Sequence, residues 1–136
     1  DPIHYQCLVK NCPEDVETHQ LAVGNEEKMI SLSDDDFTQA KRVMGDGNIP
    51  MVTIDSLNLD DVDLIKIDVE GYEMEVLKGA DQTLKNVEYL MIELNNNSKK
   101  YGSSNLEIEK YLKKMEFEII IKVWPDVVWH KKGKRK

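Results

Sequence analysis

The run from Val62 to Ala80 constrains this chain more than any other. Its first half reads as a strand. Leu64, Ile65, Ile67 and Val69 are apolar, and three of them are β-branched, which suits a pleated, packed surface. Alternation sets Lys66, Asp68 and Glu70 on one face and Ile65, Ile67 and Val69 on the other. Three successive charges on a buried strand need a cleft to face or partners to pair with. The alternative is the solvated face of a half-exposed antiparallel strand. Gly71 ends the strand. Glu73 and Glu75 then fall in the first turn of a helix, where the dipole favours negative charge, with Lys78 at its far end. Open α/β sheets place ligands at such a carboxyl end.

A length of 136 residues suits one domain, and 40% apolar residues can bury a core. No apolar run approaches the roughly 18 residues of a membrane span, and no signal-peptide pattern opens the sequence. No membrane partner is therefore expected. The net charge of −8 is uneven. Lys131 to Lys136 hold five of the 18 Lys and Arg, so residues 1–130 carry 13 bases against 26 acids, a net of −13. A body so acidic argues against a nucleic-acid face. The basic tail, 131–136, reads as a solvated terminus, with contact to a phosphate or an anionic surface as the alternative. Cys7 and Cys12 imply no disulfide framework and fit a reducing, cytoplasmic setting. With His4 and His19 they match no standard zinc spacing, and packing thiols account for them better.

In order, Asp1-Pro2 opens a helix carrying Ile3, Tyr5, Leu8 and Val9, ended by Asn11 and Pro13. Val16 to Val23 reads as a strand before the Gly24-Asn25 turn, and Lys28 to Leu32 as another. Ser33 caps a further helix through Val43-Met44, with Asp36 three residues on as in a capping box. Asp34 to Asp36 lack the alternating ligands, Gly and closing Glu of a calcium loop. Gly45-Asp46-Gly47 follows no strand and is no nucleotide loop. Met51 to Ile54 is a short strand. Asp81 is placed to cap a short helix through Leu84. Val87 to Leu94 is a strand with Glu93 near its carboxyl end, and Asn95 to Ser98 is loop. Ser104 and Glu107 form a capping box for a helix to Glu116. Phe117 to Trp124 and Val127 to Trp129, split by Pro125, form an antiparallel hairpin, with Trp124 and Trp129 as core or edge cover. The pattern predicts an α/β protein with helices on a mostly parallel sheet and a C-terminal antiparallel hairpin.

The run Asp63 to Ala80 closely resembles the signature of the FkbM-family methyltransferases. Asp1-Pro2 with Asn11, Leu21 to Asn25, Val52 to Leu57, and Tyr89 to Leu94 are similar to other blocks of that family in the same order. The resemblance covers residues 1 to 124 and implies a Rossmann-like class I methyltransferase sheet. It implies S-adenosylmethionine (SAM) as donor and O-methyl transfer to a hydroxyl on a sugar, polyketide or similar small molecule. The family's first strand, its Gly-rich SAM loop and the acid that binds ribose would lie before Asp1. Residues 1–130 are thus expected to be the C-terminal portion of such a domain, with an incomplete sheet. The Asp63–Val69 strand would then have an open edge, a route to self-association.

Methyl transfer from a sulfonium is an in-line displacement, helped by positioning, desolvation and a base near the acceptor hydroxyl. Glu70, at the strand's mouth, is the expected base or acceptor-positioning group. Asp68 is the second catalytic candidate; otherwise it holds Lys66 or the SAM amino group. Neighbouring buried carboxylates would raise one pKa of the group. Asn25 is expected at the adenine edge and Ala22 in the lining of that pocket. Glu93 and Lys66 are candidates for contact with the acceptor, Glu93 equally for capping a loop. No metal ligand is assigned in this reading. Two alternatives stay open: a non-catalytic remnant that binds partners through its open edge, and a Mg²⁺-dependent phosphotransfer or hydrolase site on Asp68 and Glu70.

Overall fold

The computed structural model describes residues 2–33 and 42–133. The elements run α1 (Pro2–Asn11), β1 (Ala22–Val23), β2 (Lys28–Ile30), β3 (Ile49–Val52), β4 (Leu64–Ile67), α2 (Glu73–Lys78), α3 (Thr83–Asn86), β5 (Tyr89–Glu93), α4 (Asn105–Lys114), β6 (Phe117–Val123) and β7 (Asp126–Lys131). Short 3-10 turns at Asp55–Leu57 and Asn97–Tyr101 follow β3 and β5.

The described strands form two mixed sheets, ordered β1-β3-β2 and β4-β5-β7-β6. The sheet is therefore not mostly parallel. Only β1 with β3 and β4 with β5 run parallel, while β2 with β3, β5 with β7 and β6 with β7 run antiparallel. Connection length explains the mixture. The path from β4 through α2 and α3 is long enough for a crossover, whereas β6 and β7 are joined by a tight turn that reverses the chain. β4 is an edge strand among those described, as the resemblance implied.

The core lies between the β4-β5-β7-β6 sheet and helices α2 to α4. Ile67, Leu77, Leu84, Leu90, Ile92, Ile108, Leu112, Phe117 and Trp129 are all almost fully buried there. Each such side chain contributes about 1.5–3 kcal/mol on leaving water. Trp129 is core, as expected, while Trp124 is exposed. Helix α4 begins as predicted. Ser104 Oγ accepts the Glu107 backbone N–H at 3.3 Å and lies 2.9 Å from Glu107 Oε2.

Several boundaries differ from the sequence expectation. Val16 to Leu21 is irregular, and only Ala22–Val23 pairs. Helix α1 forms, but Ile3, Leu8 and Val9 stay exposed. The helix expected after Ser33 falls largely on residues 34–41, outside the described residues. Its predicted end is not helical: Val43 bridges Leu32, and Arg42 N–H donates to Ser33 Oγ at 3.0 Å. Lys131, placed in the tail by its sequence neighbours, is the buried last residue of β7. Its Nζ donates to the Leu84 and Met115 carbonyls at 3.0 and 2.7 Å. Asp81 does not cap α3. Asp55 does, accepting from Gln82 N, Thr83 N and Thr83 Oγ1 at 2.9, 2.8 and 2.8 Å. Asp81 instead accepts from the Tyr111 hydroxyl.

Candidate active site

β4 and β5 lie side by side and parallel, in register from Leu64 opposite Tyr89 to Ile67 opposite Ile92. Parallel pairing brings both carboxyl ends to one edge of the sheet. Alternation holds over β4, where Leu64 and Lys66 are exposed while Ile65 and Ile67 turn inward. The strand ends at Ile67, four residues before Gly71. The next residues therefore leave the pleat and approach the end of β5.

Asp68, Glu70 and Glu93 converge there, each offering a carboxylate oxygen within 4.8 Å of the others. Lys66 Nζ lies 3.0 Å from Asp68 Oδ2, and this bond holds the ammonium above its ordinary value. Glu70 Oε2 accepts from Asn95 Nδ2 at 2.8 Å and Asn97 Nδ2 at 2.9 Å. Glu93 has a weaker partner, Asn95 Nδ2 at 3.4 Å from Oε1. Desolvation, the Asp68 carboxylate and the Glu70 carboxylate together push the Glu93 carboxyl up.

The turn that makes this possible is tightly built. Glu70 has φ 54° and Gly71 φ 115°, both in the left-handed region that side chains disfavour. A Cβ on Gly71 would sit 2.7 Å from the Asn97 carbonyl carbon and oxygen. Glu73, read from sequence as an acid of the first helical turn, is buried at 2% exposure and accepts the Gly71 N–H at 2.8 Å. Burial pushes its carboxyl up, against that hydrogen bond, and the Glu70 and Asp68 charges add to the rise.

Asn25 and Ala22 are not part of this cluster. Asn25 lies against the opposite end of α2, where a Cβ on Gly79 would come 3.3 Å from the Asn25 Cα. Ala22 lines a separate cleft of about 390 Å³ between α1 and β1, with Tyr5, Leu8, His19 and Ile49. A larger open cleft of about 970 Å³ lies at the amino ends of β4 and β5, lined by Asp60, Asp61, Asp63 and Glu88. It is remote from the carboxylates and holds none of the predicted residues.

Sequence reasoning thus found Lys66, Asp68, Glu70 and Glu93 as neighbours and missed Asn95 and Asn97. Their signal was present: a run of amides directly after a strand that ends in a carboxylate. Chemically, the cluster is a concentration of negative charge with one compensating lysine. Such a site attracts a cation and can take a proton from a hydroxyl. Three hard oxygen ligands this close would also suit a divalent cation.

The family model for the Methyltransferase FkbM domain matches residues 2–119. Comparison with curated proteins finds no match. Among solved structures, the chain is similar to the crystal structure of methyltransferase FkbM from Methylobacillus flagellatus KT, at 19% identity and a TM-score of 0.57. That likeness covers 95% of this chain and 32% of the other, so this chain spans about a third of that relative's length. At this identity the likeness shows the fold.

Proposed function

The chain belongs to the methyltransferase FkbM domain family, and on that premise we propose that it serves SAM-dependent methyl transfer to a small-molecule hydroxyl, as on a sugar or polyketide. The observation that carries the proposal is the convergence of Asp68, Glu70 and Glu93 at the carboxyl ends of two adjacent parallel strands. Open α/β sheets bind ligands at this position.

The residues fit the cationic amino-acid end of the donor. Three carboxylates with Lys66 as their one paired cation leave net negative charge for an ammonium or sulfonium to meet. Asp68 is the residue we assign to the ammonium. Asn25 and Ala22 stay assigned to the adenine side, and their separation from the cluster suits a donor that is long rather than compact. SAM supplies an electrophilic methyl group on a positively charged sulfur.

Glu70 acts on the acceptor side. Its carboxylate accepts the hydroxyl proton as the oxygen attacks, or fixes the hydroxyl in line. Glu93 and Lys66 flank it as acceptor contacts. Glu93 carries a carboxyl raised by desolvation and by the Asp68 and Glu70 charges, and it is the group at this edge with the greater affinity for a proton shared with the acceptor. The exposed edge of β4 is the surface we assign to any self-association.

A second reading has one observation in its favour, the 4.8 Å grouping of carboxylate oxygens, which suits Mg²⁺ and phosphoryl chemistry. Calorimetric titration of the protein with SAM and, separately, with Mg²⁺ divides the two. Saturable heat with SAM in the absence of metal supports methyl transfer. Heat with Mg²⁺ and none with SAM overturns it, and heat with neither favours a non-catalytic module.

A further inference from the structure

We infer that Asn95 and Asn97 are positioning residues that hold one oxygen of the Glu70 carboxylate and so present the other to the methyl acceptor. The role rests on the methyl-transfer reading of the site. Asn95 Nδ2 and Asn97 Nδ2 both donate to Oε2, at 2.8 and 2.9 Å. Oε1 accepts no hydrogen bond from the described residues.

The direction of these amides follows from their other partners. Asn95 Oδ1 accepts the Asn97 backbone N–H at 3.0 Å, which leaves Nδ2 as the end that meets the carboxylate. An ionised carboxylate accepts only, so Asn97 also turns its Nδ2 inward. Both amides therefore bind the carboxylate, and the Asn95 side chain is fixed in turn by the Asn97 backbone N–H.

The backbone supports the same geometry. Glu70 holds φ 54°, a conformation that a side chain keeps only when its surroundings enforce it. The enforcing contact is the Asn97 backbone, against which Gly71 packs without room for a Cβ. The loop is itself anchored, since Ser98 is buried and its carbonyl accepts the Ser103 N–H at 3.1 Å. Asn95 to Ser98 thus connects the end of β5 to the turn after β4. A base must lie within hydrogen-bond reach of the proton it takes, and a misplacement of about 1 Å costs about 100-fold in rate.

Two readouts test this role. Side-chain amide protons of Asn95 and Asn97 are observed by NMR in ¹⁵N-labelled protein. Glu70→Gln should move both pairs upfield; pairs that stay in place overturn the clamp. Release of S-adenosylhomocysteine is then measured with SAM and with glucose and glycerol as probe hydroxyls. Asn97→Asp keeps the size of the side chain and removes its donor. It and Asn95→Ala should each lower kcat about 10- to 100-fold with an unchanged KM for SAM. A purely structural loop role predicts a lower Tm with unchanged kcat in the folded protein, and that result overturns the proposal. If the wild type releases no product with either probe, the methyl-transfer reading loses its support, while the clamp stands or falls on the amide protons.

Discussion

Glu73 is a carboxyl buried beside two others, and its protonation is tied to stability. Its folded value is raised, so the folded chain keeps this proton at pH values where the unfolded chain has released it. Stability contributed through Glu73 is therefore greatest below the ordinary glutamate value of 4.5, falls as pH rises through the raised folded value, and stays lower above it. Glu73→Gln keeps an oxygen for the Gly71 N–H and removes the buried charge. Urea melts should show the variant more stable than wild type at pH 7 by on the order of 1 kcal/mol, with the gap closing toward pH 4. Asp55 behaves in the opposite sense. Burial raises its carboxyl, but hydrogen bonds from Gln82 and Thr83 outweigh that and hold it below the ordinary value. Its contribution is present at neutral pH and is lost as pH falls through the depressed value. Asp55→Ala should lower stability by about 1–3 kcal/mol at pH 7, read as a drop in the urea midpoint.

At the level of elements, α2 connects the carboxylate cluster to the rest of the chain. Its amino end carries the Glu70-Gly71 turn, and its carboxyl end meets the loop after β1. A Cβ on Gly79 would lie 1.9 Å from the Gly24 carbonyl oxygen. The Gly79 carbonyl in turn accepts the Asp55 N–H at 3.0 Å. Gly79→Ala should cost about 1–3 kcal/mol through forced separation of these backbones, visible as a lower Tm. This contact shows where sequence reading stops. The signature run made the strand, the glycine turn and the helix legible, because each rests on local chemistry: β-branched alternation, a residue without Cβ, acids at a helix start. Ser104 with Glu107 was legible for the same reason. The cap of α3 was not, because Asp81 stands at the local capping position while the residue that caps is Asp55, brought from beyond β4 by tertiary packing. Sheet order was half legible. Apolar runs locate strands, but parallel or antiparallel pairing depends on the path between them, and the pairing of β5 with β7 has no local signal.

For the whole molecule, one acidic edge of an α/β sheet is the place where the proposed reaction would occur. Lys66, Asp68, Glu70 and Glu93 were legible as neighbours because they sit at or just past the ends of two strands that local patterning identifies. Asn95 and Asn97 were read as loop because amides in a loop carry no periodicity, and their partner Glu70 is 25 and 27 positions away. Of the groups at this edge, Glu70 takes the two shortest hydrogen bonds from the loop after β5, and the proposed chemistry depends on it. The most direct test is Glu70→Gln in the protein, measured both for SAM binding by calorimetry and for methyl transfer from labelled SAM to hydroxyl acceptors. SAM binding should stay within about threefold of wild type, and transfer should fall by about 10²-fold or more. Transfer at the wild-type rate in the variant would contradict the role proposed for Glu70.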